Sequence, residues 1–180
     1  MAKHRKPEGE GAVNPEILRV ACEVSRRLSA AGHAHALIGG LAVWAHGYER
    51  ATADVDFLVT RRAEASLTGD PLGGEARGKT IRVDGVLVDL LFPKAEEDYL
   101  EWAITKSCAR VIDALPVLPL DALVCMKLAC GRMRDQGDVV ELIKRGWIDR
   151  RVVVAYLAVN RPDLVEEFES LVALAACEVD

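Results

Sequence analysis

The chain has 180 residues, 51% hydrophobic and 28% charged, and carries a formal net charge of −5. A chain of this length and mixture buries enough apolar surface to fold as one domain, or as a core with a helical appendage, without disulfides or a structural metal. Its acidic balance argues against broad, sequence-independent binding to duplex nucleic acid, which needs many Lys and Arg contacts to phosphates.

Residues 1–13 open with MAKHRKPEGE, which is polar and has no apolar targeting core, and they read as a disordered leader. Asn14 is a candidate helix cap with Pro15 in the first turn. Ile17, Leu18, Ala21, Val24 and Leu28 then recur at helical spacing until Gly32. Ala36 to Ile38 form a short apolar strand leading into Gly39-Gly40, and a helix is predicted from Leu41 to His46, closed by Gly47. Asp54 to Thr60 reads as a strand. From Arg61 to Gly78, a short helix near Glu64 is expected, then a loop holding Gly69, Pro71, Gly73 and Gly74. Asp84-Gly85 sits between two alternating runs and marks a tight β-hairpin, whose second strand, Val86 to Phe92, carries Asp89.

Beyond the hairpin, a helix from Ala95 to Thr105 and a strand from Ala109 to Ile112 are expected, with Pro116 and Pro119 marking a linker. The rest reads as helices over Asp121–Ala129, Asp135–Arg145, Asp149–Val159 and Pro162–Cys177, with Asp135 as an N-cap and Gly146 as a C-cap. The Ala/Val-rich last helix serves either as core or as a dimer seam. The pattern is an α+β first half followed by a helical second half. Cys22, Cys108, Cys125, Cys130 and Cys177 are odd in number and form no C-x-x-C pair, so buried thiols in a reducing, cytoplasmic setting are expected, not disulfides or zinc. No apolar run is long enough to span a membrane.

Three acids interrupt apolar strands. Asp54 and Asp56 are two residues apart, so their side chains share one face of their strand, about 7 Å apart along it. Two carboxylates so close are costly through repulsion and desolvation unless a cation lies between them. Hard oxygen ligands of this kind suit Mg²⁺, which also binds substrate phosphates. Asp89 lies between Leu87 and Leu91 on one face of its strand, and joins the pair if that strand runs beside the Asp54 strand. Three carboxylates can hold one or two Mg²⁺ ions for in-line displacement at phosphorus. Gly39-Gly40, between a strand and a helix, is where backbone amides approach a phosphate closely.

Ile38-Gly39-Gly40, thirteen intervening residues, then Asp54-Val55-Asp56-Phe57 resembles the signature of the nucleotidyltransferase (polymerase-beta-like) superfamily. Gly39-Gly40-Leu41-Ala42, His46-Gly47 and Arg50-Ala51-Thr52-Ala53-Asp54-Val55-Asp56 further resemble the minimal nucleotidyltransferases related to AbiEii-type toxins and antibiotic adenylyltransferases. A weaker likeness extends to Lys127 through Asp135. The resemblance implies a small mixed β-sheet flanked by helices over 14–115, followed by a helical part, 116–180, closing over the nucleotide. It implies Asp54, Asp56 and Asp89 as metal ligands and catalytic residues, and Gly39 and Gly40 as the phosphate cradle. Many relatives carry Ser where Gly40 stands, so backbone contacts alone would act there. The implied reaction moves an NMP from an NTP, such as ATP, to the hydroxyl of a small molecule, a tRNA end or a protein. The alternative is a non-catalytic nucleotide-binding or toxin–antitoxin interaction module on the same fold, as a homodimer or with a partner protein.

Other residues carry two readings. Arg50 and Thr52 either bind phosphate and position Asp54, or form a surface loop with a capping Thr. Lys127, on a largely apolar helix, either reaches the triphosphate or snorkels to solvent. Asp135 and Asp138 are expected to cap and decorate a helix, His46 to be structural, and Trp44, Trp102 and Trp147 to lie in the core or an interface. The cluster Arg132, Arg134, Lys144, Arg145, Arg150 and Arg151 reads as a solvated helix face.

Overall fold

The computed structural model describes residues 14–67, 75–77, 80–107, 111–112 and 115–178. The leader 1–13, the loop glycines 69, 73, 74 and 78, Cys108 and the first half of the Ala109–Ile112 strand lie outside the described residues. In the first helix, α1 (Pro15–Ala30), the Asn14 side chain accepts from the Glu16 amide, and Ile17, Val20, Ala21, Val24 and Leu28 are buried. That stripe is the expected amphipathic face, with Val20 in it and Leu18 only half-buried.

Five strands make one mixed sheet: β1 (His35–Ile38), β2 (Asp54–Val59), β3 (Glu75–Arg77), β4 (Thr80–Val83) and β5 (Val86–Leu91), in the order β1-β2-β5-β4-β3. β2 runs parallel to β5, and the other pairs are antiparallel. The β4–β5 turn is Asp84-Gly85, with φ of 48° and 82°, the left-handed pair that a tight hairpin demands. Val55, Phe57, Val59, Ile81, Val83, Val86, Val88 and Leu90 are buried in one core with α1. Within that core the neutral His35 ring accepts from the Ser25 hydroxyl at 2.7 Å and meets Phe57 edge-on.

Several boundaries differ from expectation for identifiable reasons. α2 (Gly39–Ala45) starts two residues early, on the glycines themselves. The short helix α3 (Glu64–Leu67) falls where expected, and β3 lies where a loop was expected. α4 (Asp98–Ser107) starts late because a turn comes first: the Glu97 carboxylate accepts from the Lys94 amide, and the Glu97 amide donates to the Lys94 carbonyl. The Pro116–Pro119 stretch is no linker. β6 (Val111–Ile112) pairs with β7 (Leu115–Pro116), Val117 bridges to Leu37, and the Leu118 amide donates to the Leu37 carbonyl at 3.1 Å. Leu115, Val117 and Leu118 are buried, so this stretch extends the sheet past β1, where an edge tolerates proline.

The helical half comprises α5 (Leu120–Cys130), α6 (Met133–Lys144), α7 (Arg150–Asn160) and α8 (Val165–Cys177). α5 is largely apolar and is shared by two cores. Its Ala122 and Leu123 pack with the sheet core, while Val124, Cys125 and Leu128 pack with Val139, Leu157 and Phe168. Phe168, Leu171 and Ala175 of α8 face that second core, which favours core over seam for this face. Asp149 caps α7, and Gly146 ends the α6 turn with φ 69°. Asp135 does not cap α6: Arg132 occupies that position and Asp135 is buried in the first turn.

Candidate active site

Alternation along β2 sets Asp54 and Asp56 on the face opposite Val55 and Phe57, half-buried where the others are buried. The parallel register pairs Asp56 with Asp89. Opposed residues of paired strands share a face, and neighbouring strands lie about 4.8 Å apart, so the third acid stands beside the pair. Leu87 and Leu91, on the same face of β5, are 40% and 39% exposed, so this side of the sheet is open around Asp89.

Gly39 has φ 63°, and a Cβ there would fall 1.8 Å from Asp56 Oδ2. A Cβ on Gly40 would fall 2.6 Å from Thr52 Oγ1 and 3.0 Å from Arg50 Nη1. The glycine pair is therefore required by the close approach of the acid loop to the backbone, and a serine at position 40 would collide with Thr52. The Thr52 hydroxyl donates to Asp54 Oδ1 at 2.8 Å, and the Thr80 hydroxyl donates to Asp89 Oδ1 at 2.5 Å. Asp56, between them, accepts no hydrogen bond among the described residues. Burial, then the charges of Asp54 and Asp89, push its carboxyl up to about 6, against a smaller downward pull from Lys127 and Arg132.

A buried ion network adjoins the acids. Lys127, 4% exposed, donates to Asp135 Oδ1 at 2.9 Å and Asp138 Oδ2 at 2.7 Å. Arg50 grips Asp138 through Nε and Nη2 at 2.6 and 2.9 Å, and Arg132 Nε donates to Asp135 Oδ2 at 2.5 Å. The Asp135 carboxyl is held below the usual range by Arg132 and Lys127, which outweigh the opposing effect of its burial. Asp135 and Asp138 thus do not decorate a surface, and Lys127 does not snorkel. Three cations meet two carboxylates there, Arg132 from an exposed position, because only pairing makes the buried charges of Lys127, Asp135 and Asp138 tolerable. Two signals were present in the sequence. Asp135, Asp138, Val139 and Leu142 recur at helical spacing on what proves to be the buried face of α6. Counting outward from the Asp84-Gly85 turn also pairs Thr80 with Asp89.

Around this centre, His46 is structural, with Nε2 donating to the Leu118 carbonyl at 2.8 Å. Trp102 is 58% exposed beneath Lys106 and lies far from a core role. Of the basic cluster, Arg134, Arg145, Arg150 and Arg151 are exposed, but it is not simply a solvated face: Lys144 is half-buried, Arg132 pairs with Asp135, and Arg145 lies over the Tyr48 ring.

Three carboxylates on adjacent strands, their middle member raised by burial and then by its neighbours' charge, are the donor chemistry a hard divalent cation compensates. Asp54 and Asp89 are turned toward threonine hydroxyls, and among the described residues no three His, Cys, Asp or Glu side chains gather into a ready-made cage. The set suits an ion that takes few protein oxygens and completes its shell from water and phosphate, as Mg²⁺ does. Among the described residues no helix is long and apolar enough to cross a membrane.

No family model and no curated protein sequence matches the chain. Among solved structures it is similar to an antigenic nucleotidyltransferase-like protein from Paracoccidioides brasiliensis, at 15% identity over 87% of this chain and 94% of that one, with a TM-score of 0.45.

Proposed function

We propose that the protein is a metal-dependent nucleotidyltransferase that moves an NMP from an NTP to an acceptor hydroxyl. The observation that carries this reading is the parallel register of β2 and β5, in which Asp89 is the partner of Asp56, with Gly39 pressed against the same carboxylate. Asp54, Asp56 and Asp89 would hold Mg²⁺. That ion, when bound, supplies the positive charge that lets a triphosphate approach three carboxylates and polarises its α-phosphorus.

The chain's own residues do the rest. Gly39 and Gly40 present backbone without side chains to the phosphates. Thr52 fixes the Asp54 carboxylate. Thr80 occupies Asp89 Oδ1 and leaves Oδ2 to take the acceptor's proton on the open side of the sheet. The acceptor oxygen bonds to the α-phosphorus, the bond to the bridging α–β oxygen breaks, and pyrophosphate leaves. Positioning and charge neutralisation supply most of the rate in such a transfer. The acceptor hydroxyl belongs to a small molecule, a tRNA end or a protein.

The test is Mg²⁺-dependent transfer of label from α-³²P-NTP to each acceptor class. Asp54→Asn combined with Asp56→Asn abolishes it, and full activity in that double variant sinks the proposal. Tight Mg–NTP binding with no pyrophosphate release assigns the site to a nucleotide-binding module instead.

A further inference from the structure

Thr52, which holds the Asp54 carboxylate, lies in a segment between α2 and β2 that has neither helix nor strand. The positions of that segment meet successive positions on and just after α6, in antiparallel order. Trp147 sits so close to Gly47 that a Cβ there would fall 2.6 Å from its ring. The Arg145 guanidinium lies 5.1 Å from the centre of the Tyr48 ring. Asp138 takes Arg50 through two hydrogen bonds, and Arg134 Nη2 donates to the Ala51 carbonyl at 3.3 Å. Arg50 and Thr52 are in turn the side chains pressed against Gly40. The contacts thus run without interruption from the second core to the acid strand.

We propose that α6 is the positioning element of the candidate site and Asp138 its principal positioning residue, holding Arg50 so that Thr52 stays within reach of Asp54. Of the four contacts, the Asp138 pair is the decisive one. Asp138 is 2% exposed, and a bidentate guanidinium–carboxylate pair away from water is both strong and directional. Arg134 and Arg145 act from exposed positions, where such contacts are weaker. Lys127 stays paired with Asp135 when Asp138 loses its charge, so Asp138→Asn leaves no ammonium stranded. In this arrangement the Arg50 charge is engaged by protein and is not a free phosphate ligand.

The consequence for turnover rests on the transferase reading, whereas the clamp itself does not. Deuterium uptake of segment 47–54 in the full chain tests the clamp. The Gly47 and Tyr48 amides donate to the Trp44 and Val43 carbonyls, so the start of the segment has protection to lose. Asp138→Asn is expected to speed uptake there by about tenfold, with α1 unchanged. With Mg–NTP and a working acceptor, kcat falls on the order of 100-fold, as for a small misplacement of reacting groups. KM for the NTP moves less than about threefold. Arg50→Gln shows the same defect, and the double variant is no worse than either single one. Additive losses, or a defect confined to KM in Arg50→Gln, assign Arg50 to the substrate and overturn the proposal. If Asp138→Asn does not fold, Arg145→Gln and Arg134→Ala loosen the same segment without stranding a buried charge. Unchanged uptake in 47–54 in every folded variant overturns the clamp. A wild-type chain that neither binds Mg–NTP nor transfers label ends the transferase reading, and the uptake result still decides the clamp.

Discussion

Replacing Asp56 by Asn should make the metal-free protein more stable, and increasingly so as pH rises. The Asp56 carboxyl goes from 3.8 in the unfolded chain to about 6 in the folded one, through burial and the neighbouring charges of Asp54 and Asp89. Below 3.8 the group is protonated in both states and carries no penalty. Between 3.8 and 6 the unfolded chain releases its proton first, so the folded state loses stability steadily, and above 6 the loss is constant. A shift of about 2 units, at roughly 1.4 kcal/mol each, makes the full penalty about 3 kcal/mol. By the same linkage about 1 kcal/mol of it is already present at pH 4.5, leaving about 2 kcal/mol to appear between pH 4.5 and 8. Asn keeps the shape and drops the charge. Urea unfolding of wild type and Asp56→Asn in chelator at the two pH values measures the difference. The variant's advantage should grow by about 2 kcal/mol from pH 4.5 to pH 8. Mg²⁺ added at roughly a hundred times its dissociation constant should restore about 2.7 kcal/mol to wild type and nothing to the variant. An advantage that does not change with pH refutes the charge argument, and an Mg²⁺ response equal in both proteins refutes the metal site.

Gly39→Ala combines a φ of 63° with a methyl 1.8 Å from the Asp56 carboxylate, so it should cost more than the ~1–2 kcal/mol of left-handed strain alone and should disturb Mg–NTP binding. A midpoint in urea within experimental error of wild type contradicts that geometry. Lys127→Met leaves Asp135 and Asp138 with one cation each. It should cost about 3 kcal/mol, the lower end for breaking a buried ion pair, and a loss under about 1 kcal/mol in the same assay shows that the network is not desolvated.

The acids and the ion network were unequally legible for one physical reason. Asp54, Asp56 and Asp89 stand on strands, where a period of two exposes any polar residue that falls out of phase, and the Asp84-Gly85 hairpin fixes which strand carries Asp89. What periodicity could not supply was the partner of β2. Only the sheet order, with β5 running parallel beside β2, turns three separate anomalies into one cluster. Lys127, Asp135 and Asp138 stand on helices, where a charged side chain near the apolar stripe is as well explained by a long stem reaching water as by a buried partner. One partner comes from far along the chain, Arg50 lying 88 residues before Asp138, and no local rule reaches that distance. The Pro116–Pro119 stretch fails for a related reason. Proline reads as a break in any local pattern, yet at the margin of a sheet it leaves the neighbouring Val117 and Leu118 free to bond to Leu37. The helical half then acquires a role its sequence does not announce. Residues that look like surface decoration are what join α6 to the segment that delivers Thr52 and Asp54, so the stability of the second core and the geometry of the acid cluster are coupled through Asp138.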